Sequence, residues 1–119
     1  MPHIVVYNLS KGDYTEERIA LIEGAITATL CAITKLGLTG EKIAYSFPQD
    51  PTITSDDVPV KIIIEEFYDK PEITPELRNF IARVIAETFK SVVTKWRRLK
   101  KVSVSIPRFD PVRDGHASV

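Results

Sequence analysis

Hydrophobic and polar positions along the chain alternate with two different periods, and the change between them happens twice in the same order. His3 to Leu9 carries Val5, Val6 and Tyr7 and ends at Lys11-Gly12-Asp13, which predicts a strand. Thr15 followed by Glu16 and Glu17 is a helix start, with a hydroxyl cap and acids at the positive end of the dipole. Ile19, Ile22, Ile26, Leu30 and Ile33 then recur at helical spacing until Gly37. Lys42 to Phe47 alternates with Ile43, Tyr45 and Phe47 on one face, a second strand, and the breaker-rich stretch 48–57 is a loop. Val60 to Phe67 predicts a third strand, its Ile62-Ile63-Ile64 run that of one buried on both sides. Thr74-Pro75-Glu76 caps a second helix whose stripe is Leu77, Ile81, Val84, Ile85, Phe89, Val92 and Trp96. Val102 to Ile106 is the fourth strand, and the tail 107–119 is polar.

The two halves are copies. A shift of 59 residues, without a gap, lays Lys11 on Lys70, Thr15 on Thr74, Glu17 on Glu76, Ile22 on Ile81, Ile26 on Ile85 and Thr29 on Thr88. It also lays Lys42 on Lys101, Ser46 on Ser105 and Pro48 on Pro107. The expectation is one α+β domain over 1–119, made of β-α-β repeats at 1–50 and 58–110 with a linker at 48–57. Right-handed crossovers pair the strands of each unit in parallel, giving a four-stranded mixed sheet with two long helices on one face. The other face is expected to keep uncovered apolar side chains that oligomerisation buries.

Composition narrows the functions. Sixteen Lys and Arg balance sixteen Asp and Glu, so no global field recruits nucleic acid or an anionic membrane. The apolar runs are too short to span a bilayer, and the N-terminus lacks a signal-peptide layout. Cys31 is the single cysteine, which excludes an internal disulfide and points to a cytoplasmic address. Two separated histidines and one cysteine make no metal site. No Ser/His/Asp, Cys/His or Gly-rich phosphate pattern is legible; His3 reads as a packed or surface residue and His116 as part of the tail. The run Lys95-Trp96-Arg97-Arg98-Leu99-Lys100-Lys101 reads as cations at the negative end of the second helix, with Trp96 continuing the apolar stripe.

Pro2 is the residue with unusual chemistry available to it. A small second residue favours removal of Met1, which leaves a proline whose nitrogen is a secondary amine. An α-amine titrates near pH ~8, and apolar surroundings or a nearby cation lower that by disfavouring the charged form. The plainer reading is a proline opening an edge strand.

Pro2 at the head of a short strand, the β-α-β unit and its duplication to this length resemble the tautomerase superfamily, the 4-oxalocrotonate tautomerase and macrophage migration inhibitory factor-like proteins. The C-terminal half, down to Asp114-Gly115-His116, is most similar to a small bacterial branch of it. The resemblance implies a homotrimer with sites between subunits, no cofactor, and a freed Pro2 acting as general acid/base on small 2-oxo or enol carboxylic acids. It further implies that the end of strand three lies beside Pro2, bringing Tyr68 and Lys70 close. Lys70 is then the second catalytic residue, with Tyr68, and Lys11 or Arg108 from a neighbouring chain, binding the substrate carboxylate. One branch of the superfamily has Arg-Pro-Arg where this chain reads Lys70-Pro71-Glu72, and positions used by the migration inhibitory factors hold Leu38, Ser103 and Ser105. Two other readings stand beside this one: a non-catalytic trimer of the same fold binding a small acid or a protein partner, and a ferredoxin-like RNA-binding module.

Overall fold

A computed structural model of the chain describes residues 2–53, 58–67, 73–99 and 101–107. Strands β1 (His3–Tyr7), β2 (Ala44–Ser46), β3 (Val60–Glu65) and β4 (Val102–Ser105) form one sheet in the order β2-β1-β3-β4. β1 pairs in parallel with β2, β3 in parallel with β4, and the two inner strands run antiparallel. Helix α1 (Glu16–Cys31) joins β1 to β2, and α2 (Pro75–Val93) joins β3 to β4. Each helix begins as its sequence predicts. Thr15 Oγ1 accepts the Arg18 N–H at 3.1 Å, and Thr74 Oγ1 accepts the Leu77 N–H at 3.1 Å.

Both helices cover the same face of the sheet. Ile4 and Val6 of β1 and Val60, Ile62 and Ile64 of β3 are fully buried against Ile22, Ile26 and Leu30 of α1 and Ile81, Ile85 and Phe89 of α2. This cluster is where the apolar stripes meet, and truncating any one of its isoleucines to alanine costs about 2–5 kcal/mol.

The repeat is not uniform. The helices keep the 59-residue offset, since their caps Thr15 and Thr74 are equivalent. The inner strands are 58 apart: Asn8 (φ 69°) and Glu66 (φ 56°) both turn into the left-handed region, and the residues that follow, Leu9 and Phe67, are both buried. Val5 pairs with Ile63, its own equivalent at 58, so the local twofold passes through that pair. The physical reason is the two-residue period of a strand. An offset of 59 matches Ile4, which faces the helices, with Ile63, which does not. The second half therefore carries one extra residue between Phe67 and Thr74.

Two further expectations change. β1 is an inner strand, so Pro2 does not open an edge; it sits just ahead of the strand, where no ladder N–H is needed, and its carbonyl accepts the Ala44 N–H at 3.0 Å. The sheet face away from the helices is not mainly apolar. Around Ala44, Val5 and Ile63 it presents Ser46, His3, Tyr7, Lys61, Glu65, Ser103 and Ser105, and Ile63 is half-buried there instead of enclosed on both sides. Hydrophobic burial alone gives only a weak drive for covering this face.

Candidate functional site at the Pro2 end of the sheet

Pro2 is buried at the head of β1. Because β3 runs antiparallel to β1 and His3 pairs with Glu65, the chain leaving β3 through Glu66 and Phe67 emerges at this same end. Glu66 adopts φ 56°, an uncommon conformation for a residue with a side chain, and this turns Phe67 inward to 4% exposure. Tyr68, Lys70 and Arg108 lie outside the described residues.

Arg78, absent from the sequence-based candidates, brings a cation to this end. Its guanidinium lies over the Phe67 ring at 5.6 Å from the centroid, and Nη1 donates to the Ile106 carbonyl at 3.5 Å. It thereby links the start of α2 with the outgoing ends of β3 and β4, and it is only 8% exposed. The signal was present in the sequence, since Arg78 occupies the stripe continued by Ile81, Ile85, Phe89 and Val92. A charged residue at a core-facing helix position needs a specific partner.

Lys11 is exposed in the 3-10 turn Lys11–Asp13, beyond the far end of β1. Four residue steps at about 3.3 Å each put Tyr7 roughly 13 Å along the strand from His3. Within one chain Lys11 and Pro2 therefore occupy opposite ends of the sheet. Its turn is firmly anchored. The fully buried Asp13 carboxylate accepts from Trp96 Nε1 at 2.8 Å, from Arg97 Nη2 at 2.8 Å and Nε at 3.0 Å, and from the Ser10 N–H at 3.0 Å and Oγ at 3.1 Å. Burial by itself raises the Asp13 pKa, but the hydrogen bonds from Arg97 and Trp96, the Arg97 charge and the Ser10 N–H outweigh it and hold the group below its ordinary value. Arg18 stacks over Trp96 at 5.0 Å and donates to the Gly12 carbonyl at 2.7 Å.

This cluster accounts for the middle of the basic run. α2 ends at Val93 with Thr94 as its cap, so the run follows directly on the negative end of the helix. Arg97 forms a buried ion pair and Trp96 is tied to a carboxylate.

On the open sheet face, the register sets His3 between β2 and β3. Its Nε2 lies 2.6 Å from Ser46 Oγ, and its Nδ1 lies 3.7 Å from Glu65 Oε2. No pattern in the sequence marks this contact, because its members are 43 and 62 positions from His3 and only strand pairing brings them together. Among the described residues, no group of three or more His, Cys, Asp or Glu is placed to hold a metal ion.

No family model and no curated protein matches the sequence. Solved structures do match in shape. The chain is similar to a fused 4-OT asymmetric trimer at TM-score 0.65 and 19% identity, over 90% of this chain and 85% of that one. It is similar to N1, a member of the cis-3-chloroacrylic acid dehalogenase family, at TM-score 0.64 and 15% identity, over 90% and 74% of the two chains. This is the tautomerase fold. Similarity extends to a macrophage migration inhibitory factor from Oncomelania hupensis at TM-score 0.59 and 14% identity, over 91% and 73%. The neighbours on this tautomerase fold include trimers. Among the described residues, no helix is long and apolar enough to cross a membrane.

Proposed function

We propose that the chain is a cofactor-independent member of the tautomerase superfamily in which Pro2, freed by removal of Met1, shuttles a proton on small 2-oxo or enol carboxylic acids. The observation that carries this reading is the burial of Pro2 at the head of an inner strand of a tautomerase fold, beside the outgoing end of β3. Burial disfavours the protonated amine. The neutral nitrogen takes the proton from an enol oxygen or from the carbon next to the carbonyl, and the prolinium returns it elsewhere on the conjugated system. Lys70 holds the carboxylate and stabilises enolate charge.

Lys11 serves a Pro2 site only from a neighbouring subunit, since it lies at the far end of its own sheet. The same reading therefore includes a homotrimer, the neighbours on this fold including trimers, with sites between subunits and Arg108 of an adjacent chain as the other carboxylate ligand. Analytical ultracentrifugation should show a species of three times the 13.4 kDa chain mass, and a stable monomer at micromolar concentration removes the assembly.

The activity test follows ketonisation of phenylenolpyruvate and 2-hydroxymuconate by ultraviolet absorbance. Protein lacking Met1 should exceed the buffer rate, and protein retaining Met1, whose Pro2 nitrogen is an amide, should not. Equal activity of the two forms, or none in either, overturns the Pro2 mechanism.

A further inference from the structure

The 59-residue equivalence continues past the ends of both helices. The Leu36 N–H donates to the Ile33 carbonyl at 3.0 Å and the Gly37 N–H to the Thr34 carbonyl at 3.2 Å. In the second half the Lys95 N–H donates to the Val92 carbonyl at 3.2 Å and the Trp96 N–H to the Val93 carbonyl at 3.1 Å. Gly37 therefore stands where the other half has Trp96. The Trp96 ring packs beyond the end of α2 against Arg18 in the first turn of α1, 5.0 Å from the guanidinium. The equivalent of Arg18 is Leu77, in the first turn of α2. Gly37 supplies no side chain to the place in front of Leu77, and a groove of about 610 Å³ opens there between the end of α1 and the start of α2.

The walls of the groove are apolar. Ile33, Leu77 and Val84 are half-buried in it, and Phe80 stays 41% exposed. Two cations accompany them. Lys35 lines the groove, and the Arg83 guanidinium stands 5.7 Å from the centroid of the Phe80 ring. None of the described residues lining it is acidic. An apolar recess of this size with a few charged groups beside it suits a small ligand whose polar end is an anion. The helices cover the sheet face opposite to the one the proposed trimer buries, so the groove stays accessible in that assembly.

We propose that this groove between the helices binds a small planar aromatic carboxylate. The ring takes the place that Trp96 fills in the other half, against Leu77, Val84 and the Phe80 ring, where an aromatic pair contributes beyond its buried area. The carboxylate meets Lys35, and Arg83 adds a field of the same sign. Both cations are exposed, so water screens them and the ring supplies most of the affinity. Charge supplies selectivity, by favouring an anion over a cation on the same ring. The inference rests on neither Met1 removal nor turnover at Pro2.

The probe is indole-3-acetate, titrated into the full-length protein while its backbone amide resonances are followed by nuclear magnetic resonance. Shifts are expected at residues 32–37 and 77–84, saturating together, whether or not Met1 is present. Lys35→Ala should weaken indole-3-acetate by about two- to fivefold, the usual strength of an exposed ion pair, and leave 3-methylindole unchanged. Phe80→Ala should weaken both by roughly tenfold. Ala32→Trp puts an indole into the groove from an exposed lining position and should abolish the shifts. All three positions are exposed, and unchanged melting curves check that the variants fold. The wild-type shift map decides the matter even if a variant fails to fold. No shifts, shifts confined to the residues around Pro2, or tryptamine bound as tightly as indole-3-acetate overturns the proposal. A Phe80→Ala variant with an altered sedimentation coefficient identifies the groove as a contact between copies of the chain, which overturns it as well.

Discussion

Thr29 and Thr88 meet across the twofold of the repeat, Oγ1 to Oγ1 at 3.0 Å, so each helix contacts the other through the equivalent residue 59 positions away. Thr29 Oγ1 also donates to the Ala25 carbonyl at 3.0 Å. With its single proton used there, Thr29 accepts from Thr88. Thr29→Val removes that acceptor and should cost about 1 kcal/mol, the typical net worth of one such bond. The double variant T29V/T88V should recover most of the loss, since no half-buried hydroxyl is then left without a partner. Urea unfolding of the two single variants and the double variant measures the coupling.

Asp13 joins the turn after β1 to the chain after α2 through a fully buried carboxylate. Asp13→Asn leaves Arg97 facing an amide and should destabilise the fold by about 3–5 kcal/mol, as removal of one member of a buried pair does. The pH dependence follows from the sign of the shift. The folded pKa lies below the unfolded one, so the folded state gains stability from Asp13 above the unfolded value and loses it as pH falls through the lowered folded value. Thermal melts from pH 7 down to pH 2 should show a shallower acid limb in the variant. An unchanged limb means that Asp13 is not the group responsible.

Glu66 holds a left-handed backbone, φ 56°, at a position equivalent to Asn8, φ 69°. Asparagine tolerates this region better than glutamate does, because its short side chain bonds locally. Glu66→Asn should therefore raise stability by roughly 0.5–1 kcal/mol, and Glu66→Val should lower it by at least that much. Denaturant midpoints compared at constant slope read out both changes.

At the candidate site, Pro2→Ala keeps a basic amine once Met1 is gone and should reduce ketonisation only in part. Lys70→Ala should mainly weaken turnover of carboxylate-bearing substrates, lowering kcat as well as kcat/KM. Arg78→Leu removes the cation beside Phe67 and should lower kcat/KM, with its melting curve separating lost packing from lost charge. Steady-state kinetics on Met1-processed protein distinguish these cases.

The strands, the two capped helices and the duplication were legible in the sequence because each depends on local chemistry. Thr15 and Thr74 cap through bonds three residues away, and the stripes of both helices follow the helical period. The position of Pro2 at a strand head was legible for the same reason. Tertiary structure decided what lies between elements. The inner strands match at 58 and not 59, because strand faces alternate and Ile4 must share a face with the helices as Ile62 does. Arg78 became a buried cation, and Trp96 and Arg97 became partners of Asp13, 83 and 84 positions away, through helix packing. The Ser46–His3–Glu65 line exists only because strand register places three distant residues on one face. A contact of that kind is set by how the pleats of separate strands align, and no periodicity within a single segment encodes it.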